Sequence, residues 1–380
     1  MSEKLFTPGP VEIPARVLQA LGQRPPHHRS ESFRALYGDV SVRLARLFDT
    51  QGVAVILAAS GTGGLESAVV SLVRRGERVL VGSSGKFGER WSKILSAYGH
   101  AHEVVKAEYG KPVDPAAWAV AVARLQPGIV FFTHSETSTG TLNDARALAA
   151  SARQAGALVV ADCVTSLGVH ALRQDEDQID VAVGGSQKGL MLPPGLAVLG
   201  VGARALERLE SATAAGPSFY LDLAKAAASA RQSDTPFTPA VSLVLALDES
   251  LRMIEEIGIQ EVWRRHAALA RAIREGAGAA GYRLFSSAPA DSVTALLPPD
   301  GVDPSAVVKH VRSMHHLVLT GGQDSLKGKI VRVGHMGLAY GPEDAVLVSR
   351  ALEDAAMTLG ATGRSGSAAE VAQRALESAT

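Results

Sequence analysis

The sequence predicts a two-part α/β protein, in which a mostly parallel sheet covered on both faces is followed by a smaller α+β domain. Two observations carry this. Seven short runs, at 53–58, 78–81, 101–105, 129–133, 157–161, 179–183 and 196–201, nearly all of them apolar along most of their length, are separated for the most part by segments of helical spacing. Strands that are apolar along their whole length are buried on both faces, as in a parallel sheet packed between helices. After Thr238 the alternation stops. Two long helical stretches, 241–257 and 259–280, give way to short strands at 283–285, 293–297, 317–319 and 330–333, with helices near 304–314 and 343–359.

In chain order, Thr7-Pro-Gly-Pro10 is a rigid turn followed by a short helix over 11–21. Residues 24–29 are polar and irregular. The spacing of Phe33, Leu36, Val40, Leu44 and Leu47 predicts a helix over 32–48. Within the alternating region, helices are predicted at 61–73, at 89–98 closed by Gly99, at 115–125 with Asp114 as N-cap, and at 144–155 stopped by Gly156. The last apolar run, 196–201, is assigned to the sheet edge. The resulting division is an N-terminal segment 1–22, a large domain 23–240, connecting helices 241–280, a small domain 281–360 and a loosely attached tail 361–380.

Composition excludes several classes of function. Acids and bases balance at 38 each, so no basic field favours nucleic acid or a membrane surface. A single cysteine, Cys163, precludes an internal disulfide and suits a reducing compartment. No apolar run reaches membrane-spanning length and the N-terminus lacks the apolar core of a signal peptide, so the expectation is a soluble cytoplasmic protein.

Five stretches are candidates for chemistry. Lys188 follows the apolar run 179–183 in a segment with few other charges; a lysine carried into a dry site loses hydration, becomes nucleophilic and can form a Schiff base, whereas on a solvated loop it does nothing of the kind. Asp162 ends an apolar strand 26 residues earlier and needs a partner there, either a protonated pyridine nitrogen or a structural cap or ion pair. Ser60-Gly-Thr-Gly-Gly64 lies between a strand and a helix and suits either a phosphate or a plain turn. Thr133-His-Ser-Glu-Thr-Ser-Thr-Gly140 offers hydroxyl donors or caps its own turn. Arg332, in a short strand with no acid beside it in sequence, suits either bidentate binding of a carboxylate or an exposed strand face. His134, His170 and His335 lack metal-ligand spacing, and no metal is expected.

Taken with Phe219-Tyr-Leu-Asp222, Thr238-Pro239 and Arg332-Val-Gly334, these motifs cover almost the whole chain. In that order they resemble the class V pyridoxal-phosphate aminotransferases of fold type I, most of all the alanine–glyoxylate and serine–glyoxylate or serine–pyruvate branch. The resemblance implies a large domain with a mostly parallel seven-stranded sheet, and a homodimer with its active site at the interface. It implies that Lys188 bears pyridoxal phosphate as a Schiff base and shuttles a proton, and that Asp162 holds the ring nitrogen. Phe87 would stack on the ring where relatives often carry tryptophan, and Thr137 would meet the ring's polar edge. Ser60, Gly61, Thr62 and Gln187 would hold the phosphate, with Thr238 given by the other subunit. Arg332 and Gly9 would serve the substrate. The segment 233–237 departs from the aromatic and histidine residues common in the family. The lack of a second substrate arginine implies small partners, serine or alanine as donor and glyoxylate or pyruvate as acceptor. Alternatives on the same scaffold are aminotransfer from 2-aminoethylphosphonate or phosphoserine, a cysteine desulfurase or β-lyase using Cys163, and a non-catalytic cofactor-binding protein.

Overall fold

The seven apolar runs form one sheet. The computed structural model describes residues 3–211, 218–361 and 367–378. Its large sheet contains β1 (Val53–Leu57), β2 (Val79–Ser83), β3 (Glu103–Lys106), β4 (Ile129–Thr133), β5 (Leu158–Asp162), β6 (Val181–Gly185) and β7 (Ala197–Val201), in the spatial order β1-β7-β6-β5-β4-β2-β3. Every residue of β2, β4, β5, β6 and β7 is buried, as strands covered on both faces require. Two tryptophans close the core on opposite faces of the sheet, because consecutive strand residues alternate sides: Trp91 packs on Phe131 with ring centroids 4.8 Å apart, and Trp118 meets Phe132 edge-on at 6.4 Å. Each such side chain contributes about 1.5–3 kcal/mol by leaving water.

One strand departs from expectation. β7 is not at the edge; it runs antiparallel between β6 and β1, with Leu199 opposite both Val183 and Val55. The link from β6 spans only residues 186–196 and contains no helix, so the chain returns antiparallel instead of crossing over. The exposed edge is β3, whose burial alternates.

The covering helices include α1 (Ala15–Leu21), α2 (Glu31–Phe48), α3 (Gly61–Leu72), α4 (Lys86–Ala97), α5 (Pro115–Leu125) and α6 (Ala145–Gln154). Ser30 caps α2, Asp114 caps α5 and Asp144 caps α6, each accepting from backbone N–H groups of the first turn. α4 starts three residues earlier than its spacing suggested, which matters for the site.

Beyond α7 (Ala203–Glu210) and α8 (Leu223–Ala230), the long helices α9 (Val241–Ile257) and α10 (Ile259–Ala279) lead to a four-stranded antiparallel sheet. It comprises β8 (Arg283–Leu284), β9 (Val293–Leu297), β10 (Thr320–Gly321) and β11 (Val331–Gly334), with α10 and α11 (Pro304–His315) against it and α12 (Pro342–Thr358) packed on those helices. The strand expected at 317–319 pairs elsewhere: Leu317 and Val318 lie parallel to Lys4 and Leu5. The N-terminal segment is thereby tied to the small domain, and the Gly334 N–H donates to Phe6 O at 2.7 Å.

The tail also departs from expectation. Residues 362–366 and 379–380 lie outside the described residues, but α13 (Ala368–Glu377) is packed and not loosely attached. Ala368, Ala372 and Ala375 are buried against α10 and α12, and Arg271 donates to Ala375 O at 2.6 Å. Among the described residues no helix is long and apolar enough to cross a membrane.

Candidate active site

Parallel strands deliver their carboxyl ends to one edge of a sheet, and ligands bind there. β1 leads to Ser60, β2 to Phe87, β4 to Thr137, β5 ends on Asp162 and β6 leads to Lys188. The structure brings Ser60, Gly61, Thr62, Phe87, Thr137, Asp162, Gln187 and Lys188 around a single cavity of about 90 Å³. A larger groove of about 590 Å³ between α10, residues 337–342 and α13 has neither a buried amine nor a buried carboxylate on its walls. Convergent buried charge, and not size, marks the candidate site.

Lys188 is 9% exposed, and its Nζ donates to Pro8 O at 2.5 Å. Burial lowers its pKa to about 8; Arg332 and Arg90 push the same way, and Asp162 opposes them. The contact with Pro8 explains the turn at Thr7-Pro-Gly-Pro10. A Cβ on Gly9 would stand 2.3 Å from Lys188 Nζ, and its φ of +138° is one that side-chain-bearing residues rarely adopt. Gly9 is thus beside the amine without lining the cavity itself.

Asp162 is 4% exposed, and its Oδ1 accepts from the Val164 N–H at 2.9 Å. Burial raises its pKa to about 7; the Val164 bond works against this and the charge of Glu136 adds to it. A buried carboxyl held by a single backbone donor is suited to a cationic partner in the cavity. Arg332 sits at the middle of β11, opposite Ala295 and Thr320. It does not line the cavity but reaches it through Thr137: Nη1 donates to Thr137 O at 3.0 Å and Nε to Gly321 O at 3.0 Å. Among the described residues its Nη2 donates to nothing. Thr238 is exposed before α9, and the structure does not bring it to the cavity.

Two site residues escaped the sequence reading. Glu136 is fully buried; Oε2 accepts from the N–H groups of Phe87 (3.0 Å) and Gly88 (2.9 Å), and Oε1 from Ser138 N–H (3.1 Å) and Oγ (2.5 Å). It caps the first turn of α4 and fixes the backbone that carries Phe87. Arg90, one turn further on, lines the cavity. The i, i+3 spacing from Phe87 could have revealed it, had the helix start been placed at Lys86.

The remaining candidates are structural. His134, His170 and His335 are buried, and burial holds each imidazole below its usual pKa, to about 4 for His134. His170 Nε2 accepts from Asp291 N–H at 3.1 Å, and His335 Nε2 bonds Thr294 Oγ1 at 2.9 Å. Cys163 is wholly buried and its thiol is pushed upward by desolvation, the opposite of an activated nucleophile.

The fold is that of the fold type I aminotransferases. The crystal structure of pyridoxamine–pyruvate aminotransferase from Mesorhizobium loti superposes with a TM-score of 0.95 at 29% identity, over 100% of this chain and 98% of that one. Residues 9–338 match the class-V aminotransferase family, and the chain belongs to it. It is similar to a serine–glyoxylate aminotransferase of Methylorubrum extorquens, 33% identical over 345 residues, covering 88% of this chain and 86% of that protein. It is also similar to a protein named as the small subunit of a soluble hydrogenase in Synechococcus sp., 38% identical over 382 residues and covering 99% and 98%. The chain is a transaminase, and its family implies pyridoxal phosphate as cofactor.

Proposed function

We propose that this transaminase moves the amino group of serine or alanine onto glyoxylate or pyruvate, with pyridoxal phosphate held between Lys188 and Asp162. The observation that carries the reading is the burial of that amine and that carboxyl in one cavity. The residues fit the group. Asp162 has one backbone donor and faces the cavity, the amide of Gln187 is on its wall and can donate through Nε2, and the absence of a side chain on Gly9 makes the space that Lys188 occupies.

When bound, pyridoxal phosphate supplies an aldehyde for amine exchange and a cationic ring that accepts the electron pair left by a departing α-proton. Each protein group then has a defined task. Asp162 accepts a hydrogen bond from the ring nitrogen and keeps that proton in place. Lys188, with its pKa near neutrality, takes the α-proton once displaced and returns it to the neighbouring carbon. Phe87 offers a flat apolar face to the ring. The unpaired N–H groups of the first turn of α3, with Thr62 and Gln187, receive the phosphate. Arg332 offers its free Nη2 to the substrate carboxylate. The exposed aromatics Phe219 (76%) and Tyr220 (49%), packed with Phe237 just before Thr238, form an apolar patch that a second copy of the chain would cover, carrying Thr238 to that copy's cavity.

Two other readings find less support. A desulfurase needs a mobile thiolate, and Cys163 is sealed in the core. A redox role like that in the Synechococcus relative's name would draw on metal–thiolate clusters, and one cysteine cannot supply four ligands.

The test is a half-reaction. Serine or alanine should bleach the visible absorbance of the cofactor-loaded protein, and glyoxylate or pyruvate should restore it. Release of sulfide from cysteine without that cycle would overturn the reading. A second expectation concerns Arg332. Arg332→Lys keeps the charge but loses the fork, and kcat/KM for the amino donor should fall about 10- to 100-fold through KM, the worth of one charge-assisted hydrogen bond. Unchanged steady-state kinetics in that variant would remove Arg332 from the carboxylate site.

A further inference from the structure

We propose that Arg90 is the cation that takes the phosphate of the cofactor, acting with Thr62 and the first turn of α3; this rests on the pyridoxal-phosphate reading above. Arg90 Nη1 donates to Thr62 Oγ1 at 2.8 Å, and its guanidinium lies over the Phe87 ring, with Cζ 4.6 Å from the centroid. The planar group is therefore held at two points on the wall of the cavity.

Its charge has no internal counter-ion. Among the described residues no carboxylate pairs with Arg90. The neighbouring Glu89 pairs with Lys106, and the carboxylate of Glu136 is fully engaged by Phe87, Gly88 and Ser138. The charges of Arg90 and Arg332 both act on Lys188, and among the described residues the only acid on the cavity wall is Asp162. A cavity walled by Arg90 and the Lys188 amine against one carboxyl, with Arg332 behind the Thr137 carbonyl, calls for an anion. The hydrogen-bond inventory says where it sits. Thr62 Oγ1 accepts from Arg90, so its own O–H is free to donate. The N–H groups of Thr62 and Gly63 have no acceptor within their helix, whereas Gly64 N–H bonds Ser60 O at 3.2 Å. Nε and Nη2 of Arg90 make no hydrogen bond among the described residues. These donors belong to the start of α3 and to Arg90, which its bond to Thr62 Oγ1 ties to that helix start. A dianionic phosphate matches them.

The experiment uses the full chain freed of cofactor, as the native protein, Arg90→Met and Arg90→Lys. Each is titrated with pyridoxal phosphate and with pyridoxal, which lacks the phosphate, by quenching of tryptophan fluorescence. Each is also melted with and without inorganic phosphate. Arg90→Met should bind pyridoxal phosphate roughly 10- to 100-fold more weakly and pyridoxal as the native protein does, with Arg90→Lys intermediate. Inorganic phosphate should raise the melting temperature of the native protein and not that of Arg90→Met. Equal losses for both aldehydes would reduce Arg90 to a support for Phe87, and no loss, or a KM defect confined to a dicarboxylic donor, would overturn the proposal. If the native protein takes up neither aldehyde, the cofactor reading fails; a phosphate-dependent melting shift lost in Arg90→Met would still uphold Arg90 as an anion site.

Discussion

Replacing Lys188 by alanine should lower amino-group transfer by about four orders of magnitude, the upper range for a positioned acid–base group, while the protein still binds pyridoxal phosphate. Burial lowers the pKa of this amine to about 8, so that it can give up its own proton and accept one from the substrate carbon. Its role is double, since the same nitrogen holds the aldehyde and carries the proton, and alanine removes both. Retained binding follows because the donors at α3, Asp162 and Phe87 are untouched by the change. Absorbance and stopped-flow measurements on the variant check it. Uptake of the cofactor without the long-wavelength band, and no bleaching by serine, is the expected pair of results. Native turnover in Lys188→Ala would end the assignment. A methylamine supplement that restores part of the rate would locate the loss in the missing amine and not in the fold.

The parts of this site that were legible in the sequence share a cause. Asp162 and Lys188 each end an apolar run, and a charge that interrupts apolar sequence is conspicuous without any knowledge of neighbours. The strands were legible because burial on both faces leaves no polar alternation to confuse them. What was missed depends on contacts between distant residues. The start of α4 is hidden locally because its cap is no nearby Ser or Asp but the carboxylate of Glu136, 48 and 49 residues along the chain from the amides it receives. With the start at 89, nothing in the spacing placed Arg90 one turn from Phe87, and no role attached to it in the sequence. β7 was put at the edge because an apolar strand does not announce which strands flank it. Arg332 reaches the cavity through the carbonyl of Thr137, a contact spanning 195 residues. α13 looked detached because glycines and serines precede it, although alanines at 368, 372 and 375 already describe a helical seam.

Asp162→Asn should separate the catalytic use of this carboxyl from its cost to the fold. For catalysis the asparagine no longer balances a cation on the ring nitrogen, and kcat should drop by about 10²- to 10³-fold, the range for losing a preorganised electrostatic contact. For stability the sign is opposite. The pKa of Asp162 in the folded, cofactor-free protein is raised to about 7 from an ordinary 3.8. Below the ordinary value the carboxyl is protonated whether the chain is folded or not, and no penalty exists. As pH rises toward 7 the unfolded chain releases this proton while the folded one retains it, so folding is progressively disfavoured, by about 1.4 kcal/mol per pH unit. Above 7 the penalty is constant. Asparagine cannot ionise and escapes it. Between pH 5 and pH 8.5 the cofactor-free native protein should therefore lose on the order of 2–3 kcal/mol relative to Asp162→Asn. Urea unfolding of both proteins at the two pH values measures the difference. A gap that does not widen with pH would mean that Asp162 is ionised and paired in the empty cavity, and that its carboxylate is not being held in reserve for a cation.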